Sequence, residues 1–381
     1  MIQTKEFQSL TDIEHVLKRP EVYGGQVGKE EKEFVINGKL QTLQISPMLY
    51  KMIDEAVVNA VDNFTRGNKT TRLYVTMSKS GMITIYNNGQ GVPVEIHENG
   101  KWTPEMVFFH LRSGQNFEDG KGREVGGKNG YGIKLAAIFS TSFTLDTVDK
   151  ARCLKYVQSY SNNMRTPGKR SITKTNKNDY TKISFQVDLE KFGISQIPHN
   201  MFLITQRRLQ DVASLGIKVK FNEEEIPIKN FTQYAAQINP LATMETAKWK
   251  CAIGVGDGNL CFMNNVYNAD EGTHLYMFTD KVYEKLLKKA DFKKKKIPKY
   301  KLFSEIQCIV FTSQADPTFN SQMKDRCTLY SSRYNNELNI PDSFITKIYK
   351  HPDFVSLVDK LYNETQNKLD RKTQGKLTKH I

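Results

Sequence analysis

The residues with the clearest chemical potential are an acid and an amide four positions apart, Glu55 and Asn59. On a helix they share one face, and Asp62 falls within about 60° of both in projection. A carboxylate can orient or deprotonate a water molecule, and an amide oxygen can ligate Mg²⁺, which prefers hard oxygen donors. An isolated amphipathic helix would often turn these residues to solvent. The spacing therefore leaves a catalytic face and a solvated face both open.

A turn with two glycines follows at residues 87–93 (NNGQGVP). The side-chain amide of Asn88 could hydrogen-bond the edge of a purine base, because an amide donates and accepts together. The glycines would let the backbone approach a ligand closely. An Asn-Gly pair is equally typical of a simple hairpin connection, so the turn alone does not predict a ligand.

A second glycine cluster, residues 126–132 (GGKNGYG), leads directly into a predicted helix. Glycines let successive N–H groups point inward, and the start of a helix adds partial positive charge. Lys128 and Lys134 add full charges, so the loop could hold phosphates. It matches neither the Walker A pattern nor the G-x-G-x-x-G dinucleotide pattern, and a flexible surface loop is the alternative. Further on, Lys324 ends a polar loop, residues 317–324, from which a lysine could reach a terminal phosphate.

The periodicity predicts the elements that position these residues. Ser46 and Pro47 begin a helix over residues 46–64 with one apolar stripe. Strands are predicted at 72–77 and 82–86, joined by a turn, and at 142–148, 154–160 and 181–187, with helices at 104–111 and 131–139. Beyond residue 240 we predict strands at 248–255, 260–265 and 303–312 and helices at 279–289 and 341–366. Because helices and strands do not alternate as in a parallel sheet, the pattern favours an α+β two-layer sandwich.

Composition narrows the class of protein. With 39% apolar and 25% charged residues, the chain is typical of a soluble globular protein, and no apolar run approaches membrane-spanning length. The formal net charge of +14 favours a polyanionic partner, nucleic acid or nucleotide phosphate. A lysine run at residues 288–299 fits DNA or a solvated surface equally well. Five scattered cysteines without a C-x-x-C pair predict ordinary thiols in an intracellular protein.

Taken together, these segments resemble the ATPase region of type II DNA topoisomerases, in the GHKL (Bergerat-fold) superfamily, and most closely its eukaryotic and large-virus branch. The motifs lie in the same order along nearly the whole chain, at residues 14–20, 54–63, 87–93, 125–135, 138–140, 180–185, 262–265 and 317–324. The resemblance implies a GHKL two-layer sandwich with an N-terminal strap over residues 1–240. A transducer domain of ribosomal-S5-domain-2-like type would follow over residues 241–381.

The resemblance also implies roles for individual residues. Glu55 matches the general base that activates the water attacking the γ-phosphate, and Asn59 matches the Mg²⁺ ligand. Gln322 and Lys324 match the transducer loop that reaches the γ-phosphate. The implied nucleotide contacts are Asn63, Asn88 as the adenine reader, Gly91, Ser113, Gln115, Asn116, Gly127, Lys128, Asn129, Gly130, Tyr131, Gly132 and Lys134.

Three positions depart from the family pattern. Met323 stands where the family usually has Thr, and Gln115 replaces a small hydroxyl residue. Phe7 stands where relatives often have a Tyr that reaches the nucleotide of the partner subunit. The sequence also contains no Glu-Gly-Asp-Ser-Ala or Asp-x-Asp motif of a TOPRIM domain and no breakage-reunion region. We therefore expect this chain not to cut DNA by itself, as a fragment or as one subunit of a split enzyme.

The implied function is the ATP-hydrolysing N-gate of a type II topoisomerase, using ATP and Mg²⁺. Two chains would form a homodimer on ATP binding and capture double-stranded DNA, with cleavage supplied by a TOPRIM and breakage-reunion region or a separate subunit. The expected location is the nucleus, or the host cytoplasm for a viral or phage protein. Three alternatives stay open: another GHKL ATPase of chaperone or mismatch-repair type, a non-catalytic ATP-binding regulatory module, and a DNA-binding protein.

Overall fold

The computed structural model describes residues 9–113, 124–125 and 130–377, with side chains up to Asn367. The helices are α1 Asp12–Lys18, α2 Pro47–Thr65, α3 Thr103–Phe109, α4 Gly132–Ile138, α5 His199–Ala213, α6 Phe231–Ala235, α7 Thr273–Leu286, α8 Ala290–Lys295, α9 Lys299–Phe303, α10 Asp342–Lys350 and α11 Pro352–Leu377. The strands are β1 Glu30–Ile36, β2 Lys39–Ile45, β3 Arg72–Met77, β4 Met82–Asn88, β5 Ser140–Asp149, β6 Leu154–Ser161, β7 Thr166–Pro167, β8 Ser171–Lys174, β9 Tyr180–Val187, β10 Lys218–Phe221, β11 Glu224–Glu225, β12 Ala242–Glu245, β13 Trp249–Val255, β14 Leu260–Met263, β15 Val266–Tyr267 and β16 Ile306–Thr312.

The chain forms two units, neither of which is continuous in sequence. The first contains Met1–Glu33, Thr42–Tyr234 and Ser321–Lys324, and the second contains Phe34–Gln41, Ala235–Asn320 and Asp325–Ile381. The end of the polar loop that carries Lys324 therefore belongs to the first unit. None of the described helices has the length and apolar character needed to cross a membrane.

The first unit is built on one large sheet with the order β11-β10-β3-β4-β9-β5-β6-β7, and β8 pairs with β6. The pairing of β3 with β10 is parallel, and the other pairings along this path are antiparallel. Strand alternation turns Leu73, Ile83 and Phe185 into the core. Helices α4 and α5 each pack against α2, and all three contact the sheet. The predicted α+β two-layer sandwich is confirmed.

Helix α2 begins as the sequence predicts but is buried differently. Ser46 is its N-cap, accepting a hydrogen bond from the N–H of Leu49 at 3.3 Å, and Pro47 takes the first helical position. Almost every residue from Pro47 to Asp62 is buried, whereas Asn59 is exposed. The solvated-face alternative is therefore wrong for Glu55, because its carboxylate is buried beside Gly132 at the start of α4 and beside Lys324.

The second unit has a smaller sheet with the order β12-β13-β16-β14-β15. Its strand β16 is buried at every position, as expected for a strand with neighbours on both edges. Helices α7, α10 and α11 supply side chains such as Phe278, Phe344 and Phe354 to the same hydrophobic core. The strands predicted at the positions of β13, β14 and β16 are confirmed, although their end residues differ from the predicted ones.

Three boundaries in the second unit differ from prediction. Residue 303 ends helix α9 instead of beginning a strand, and α7 starts at Thr273 instead of residue 279. The helix predicted at 341–366 is interrupted at His351, which has extended backbone angles (φ −70°, ψ 131°) before Pro352. The proline ring disfavours a helical conformation for the preceding residue, so the segment divides into α10 and α11.

Candidate active site

A cavity in the first unit gathers most of the described residues singled out by sequence. Its lining comes from α2, α3, α4, the ends of β4 and β9, and the segment Ser321–Lys324. The lining residues are Glu55, Ala56, Asn59, Asp62, Asn63, Arg66, Asn68, Ile85, Asn87, Gly91, Val92, Val107, Phe108, Ser113, Gly130, Gly132, Ile133, Lys134, Thr181, Ile183, Gln322 and Lys324. Segments more than 250 positions apart in the sequence thus form one pocket with acidic, amide and cationic groups.

Glu55 is a buried carboxylate held between two lysines. Only 4% of its surface is exposed, and its Oε1 lies 2.7 Å from Lys51 Nζ and 3.5 Å from Lys324 Nζ. Burial by itself would raise the pKa of Glu55, but the charges and hydrogen bonds of Lys324 and Lys51 outweigh it and lower the pKa to about 2. The group is therefore an anion throughout the neutral range. Lys51 was missed by sequence reasoning, although its position one helical turn before Glu55 is a signal for such a pair.

The loop segment that carries Lys324 is fastened to α2. Lys51 Nζ donates a hydrogen bond to the backbone carbonyl of Met323 at 3.3 Å. Lys324 takes a left-handed backbone conformation, with φ +63°, and its side chain is buried. Because the contact uses the carbonyl of residue 323, it does not depend on whether that side chain is Met or Thr. Gln322 also lines the cavity.

The start of α4 approaches Glu55 so closely that only glycine fits. A Cβ atom added to Gly132 would lie 1.9 Å from Glu55 Oε2. Gly130 has a left-handed φ of +67°, which glycine adopts without strain. Tyr131 is absent from the cavity lining; its hydroxyl accepts a hydrogen bond from Arg112 Nε at 3.0 Å. The prediction of Tyr131 as a nucleotide contact is thus not supported by its position in this structure.

Lys134 is a buried cation on the wall of the cavity. Its Nζ donates to the backbone carbonyl of Ser113 at 2.8 Å. Burial lowers the pKa of Lys134 to about 8, although the negative charge of Glu55 opposes the shift. The hydroxyl of Ser113 lies within hydrogen-bonding distance of two carbonyls, that of Met106 in α3 and that of His110, and can donate its proton to either. Ser113 lines the cavity, but its hydroxyl is engaged elsewhere.

The two asparagines at the end of β4 take different positions relative to the cavity. Asn88 lies outside the cavity lining, and its Oδ1 accepts from the N–H groups of Thr71 and Arg72 at 2.9 and 2.7 Å. Its Nδ2 donates to Thr71 Oγ1 at 2.9 Å. Asn87, the preceding residue of β4, is buried and lines the cavity. Successive strand residues point to opposite faces, and Asn87 has the same parity as the cavity-lining Ile85. The structure therefore places Asn87 in the cavity lining and does not place Asn88 there, and the adenine contact of Asn88 stays a prediction.

Around this turn, amide groups hold the backbone in place. Asn63 Nδ2 donates to the carbonyl of Gln90 at 2.8 Å, and Asn68 Nδ2 donates to Asn63 Oδ1 at 2.7 Å. A Cβ atom on Gly91 would lie 2.9 Å from Thr147 Oγ1, so this position also requires close approach. The structure thus gives Asn63 a role in shaping the turn as well as a place in the cavity lining.

Several predicted site residues lie outside the described residues. These are Gln115, Asn116, Gly127, Lys128 and Asn129, together with Phe7 of the strap. Within the described part of the chain, no cluster of three or more His, Cys, Asp or Glu side chains could hold a metal ion by itself. Asn59 is the exposed oxygen donor on α2 inside the cavity, one turn after Glu55.

Two family descriptions match the chain. Residues 44–190 match the histidine kinase-, DNA gyrase B- and HSP90-like ATPases, and residues 217–377 match DNA gyrase B. The fold and the cavity thus define the class as a GHKL ATPase domain followed by a gyrase B-type transducer.

Relatives and solved structures narrow the family. The chain is 30% identical to DNA topoisomerase 2 of Penicillium chrysogenum over 98% of its length and 31% identical to that of Pisum sativum over 98%. The ATPase region of Saccharomyces cerevisiae topoisomerase II superimposes with a TM-score of 0.86 at 30% identity, covering 94% of this chain and 99% of that one. The ATPase and transducer domains of Balamuthia mandrillaris DNA topoisomerase II give 0.87 at 27% identity, covering 97% and 100%.

The chain belongs to the type II DNA topoisomerase family, over the region that contains its ATPase and transducer domains. It spans only 25% of the Penicillium protein and 27% of the Pisum protein.

Proposed function

We propose that the first unit binds ATP in this cavity and that Glu55 prepares the water that attacks the γ-phosphate. The observation that carries the proposal is the buried Glu55 carboxylate between Lys51 and Lys324, facing a pocket that also holds Lys134. A fixed anion beside several cations suits phosphoryl transfer, in which catalysis comes mainly from positioning and charge neutralisation.

The resting contacts of Glu55 suggest how the site responds to nucleotide. With two lysines beside it, Glu55 is a weak base, since they hold its pKa at about 2. A terminal phosphate would compete with Glu55 for Lys324. Movement of Lys324 toward the phosphate would remove one of the two charges that lower the pKa of Glu55, so that this pKa would rise and Glu55 would become a better proton acceptor. Lys51 would stay to orient the carboxylate.

The base of the nucleotide would lie at the other end of the cavity. Asn87 offers an amide there, beside Gly91 and Thr181. Because an amide donates and accepts together, Asn87 can recognise the edge of adenine. Asn63 would support this contact indirectly, through the hydrogen bond that its side chain donates to the carbonyl of Gln90.

The donor set of the cavity fits a nucleotide-bound Mg²⁺. Mg²⁺ usually takes one or two protein oxygens and completes its coordination with phosphates and water. Asn59 would supply the protein oxygen. When bound, the ion would neutralise negative charge on the phosphates. Glu55 would not serve as a ligand of the ion, since its Oε1 is already paired with Lys51. It would remain available to orient the water.

We propose that the whole protein is an ATP-operated gate for DNA. Its relatives are named DNA topoisomerase 2, and the net charge of +14 suits a DNA partner. Two chains would dimerise on ATP binding and enclose a duplex, with hydrolysis resetting the gate. Cleavage would come from a TOPRIM and breakage-reunion region in the same or a separate polypeptide. Such an enzyme would work in the nucleus, or in a host cytoplasm if a virus or phage encodes it.

We also propose that the functional boundary between ATPase and transducer lies near residue 240. The chain enters the second unit at Ala235, shortly before β12, the first strand of the smaller sheet. Segment Ser321–Lys324 would then be the part of the transducer sequence that serves the ATP site.

Glu55→Gln tests the proposed chemistry. The amide keeps the size of the side chain but cannot accept a proton, so we expect ATP turnover to fall at least about 100-fold. Binding of a non-hydrolysable ATP analogue should persist. Glu98→Gln, at an exposed position, is the matched control and should leave turnover unchanged. Unchanged turnover in Glu55→Gln would refute the role of Glu55.

Two further measurements separate the proposed function from its alternatives. Analogue-dependent dimerisation, followed by light scattering, and stimulation of ATP turnover by duplex DNA are both expected. A wild-type chain that binds ATP without turnover would favour a non-catalytic module. Turnover without any response to DNA would favour another kind of GHKL ATPase.

A further inference from the structure

A buried network of charged residues lies beneath the catalytic helix, on the side away from the cavity. Asp54, the residue before Glu55 on α2, accepts a hydrogen bond from Arg208 Nε of α5 at 2.6 Å. The Asp54 and Arg208 side chains are 6% and 2% exposed. None of the described residues that line the cavity belongs to this pair.

The network continues into α5 and α6. Asp211 Oδ2 lies 3.6 Å from Arg208 and 3.4 Å from Arg207, and both partners are almost fully buried. Asp211 Oδ1 accepts from the hydroxyl of Tyr234 at 2.6 Å. Two arginines and two aspartates therefore balance one another in formal charge. Tyr234 is the residue at which the chain leaves the first unit.

Stability alone gives a poor reason for such a network. Removing charges from water is costly, and buried ion pairs can often be replaced by apolar residues without loss of stability. What a directed ion pair does provide is a defined geometry. An apolar contact would allow α2 to rotate or slide by small amounts, whereas the Asp54–Arg208 hydrogen bond is short and directional.

The position of Asp54 connects this geometry to catalysis. Successive residues on a helix are about 100° apart, so Asp54 and Glu55 point to different sides of the same turn of α2. Side-chain ends lie about 5–6 Å from a helix axis, and a rotation of about 20° would therefore move the Glu55 carboxylate by about 2 Å. A displacement of about 1 Å can reduce a catalysed rate by about 100-fold.

We propose that Asp54 and Arg208 are positioning residues for Glu55, with Arg208 on α5 fixing the rotation of α2 through Asp54. The inference rests on the proposed function of Glu55 and adds residues that do not touch nucleotide. It accounts for a costly buried ion pair formed by the residue next to the proposed catalytic base, Glu55.

Asp54→Asn is the principal test, because asparagine retains the shape and the accepting oxygen but loses the charge that shortens the bond. We expect kcat for ATP hydrolysis to fall at least about tenfold while KM for ATP stays within about twofold. Arg208→Lys keeps the charge but lacks the planar Nε–H donor, and it should lower kcat in the same direction. If Asp54→Asn does not fold, the kcat of Arg208→Lys tests the inference in its place.

Tyr234→Phe is the matched control, since it breaks a buried hydrogen bond of the same network that involves no residue of α2. We expect it to lower the melting temperature. Its kcat, measured well below the melting temperature of every variant, should stay within about twofold of wild type. If Asp54→Asn and Arg208→Lys lower only the melting temperature, or if Tyr234→Phe lowers kcat as much as they do, the inference is overturned.

A crystal structure of Asp54→Asn separates this inference from the proposed function. A wild-type chain without ATP turnover would refute the function, yet the positioning role could still be judged from the coordinates. A Glu55 carboxylate displaced from Lys51 would support the inference, and an unmoved carboxylate would overturn it.

Discussion

The low pKa of Lys134 predicts how nucleotide affinity depends on pH. In the protein without nucleotide, burial lowers the pKa of this ammonium to about 8. Phosphate beside Lys134 would favour its charged form, so binding should take up a proton when the free protein is deprotonated. Affinity should therefore be full below pH 8 and fall as the pH rises through 8.

The size of the effect follows from the protonated fraction. With a pKa of about 8, roughly nine-tenths of Lys134 is charged at pH 7 and roughly one-tenth at pH 9. If the charged form alone binds well, affinity falls about tenfold, which corresponds to about 1.4 kcal/mol. Binding of a fluorescent non-hydrolysable ATP analogue, titrated at half-unit steps of pH, measures this directly.

Two variants isolate Lys134 from other titrating groups. Lys134→Met should bind weakly with no further loss between pH 7 and 9, because it has no proton to lose. Lys134→Arg remains charged across the range and should also give a flat profile. A wild-type profile that is flat, or a Lys134→Met profile as steep as that of wild type, would refute the reasoning.

Four other substitutions probe the same site. In Gly132→Ala, the added methyl group would lie 1.9 Å from Glu55 Oε2 if nothing moved, so the carboxylate must shift. We therefore expect at least about a 100-fold loss of ATP turnover. A variant with wild-type turnover would contradict the packing. Lys324→Met removes a cation that holds the pKa of Glu55 low in the free protein and should slow turnover. It should also shift the acid limb of the pH profile of kcat/KM, which reports the free protein, to higher pH, and an unshifted limb would count against that contact. Asn87→Ala should weaken ATP binding and its preference over GTP, as measured by competition, whereas Asn88→Ala should mainly lower the melting temperature. The reverse pattern would restore Asn88 as the base-reading residue.

Local sequence rules predicted much of the first unit because its elements have strong signals. Ser46 and Pro47 mark the start of α2, and β3 and β4 alternate apolar and polar residues around a tight turn. The same alternation, followed to the end of β4, would have selected Asn87 over Asn88. The turn motif does not distinguish the two asparagines, whereas their places as the last two residues of strand β4 do.

Helix α5 shows where local rules fail. Its buried residues include Arg207, Arg208 and Asp211 as well as apolar residues, and a pattern of apolar residues does not predict that charged side chains are buried. The hairpin of β1 and β2 was missed for a different reason. Its strands are largely polar, although the Asn37-Gly38 turn with two left-handed residues is a recognised hairpin signal.

The sequence by itself determined the class of this protein. The order and composition of its motifs were sufficient to predict the two-layer fold, the family and the importance of Glu55, Asn59 and Lys324. The tertiary structure decided what those residues contact. The pKa and the orientation of a charged side chain on one helix depend on groups that are distant in sequence. Lys324 reaches Glu55 from 269 positions away, and Arg208 reaches Asp54 from 154. Burial makes such contacts strong, and only the folded chain creates burial.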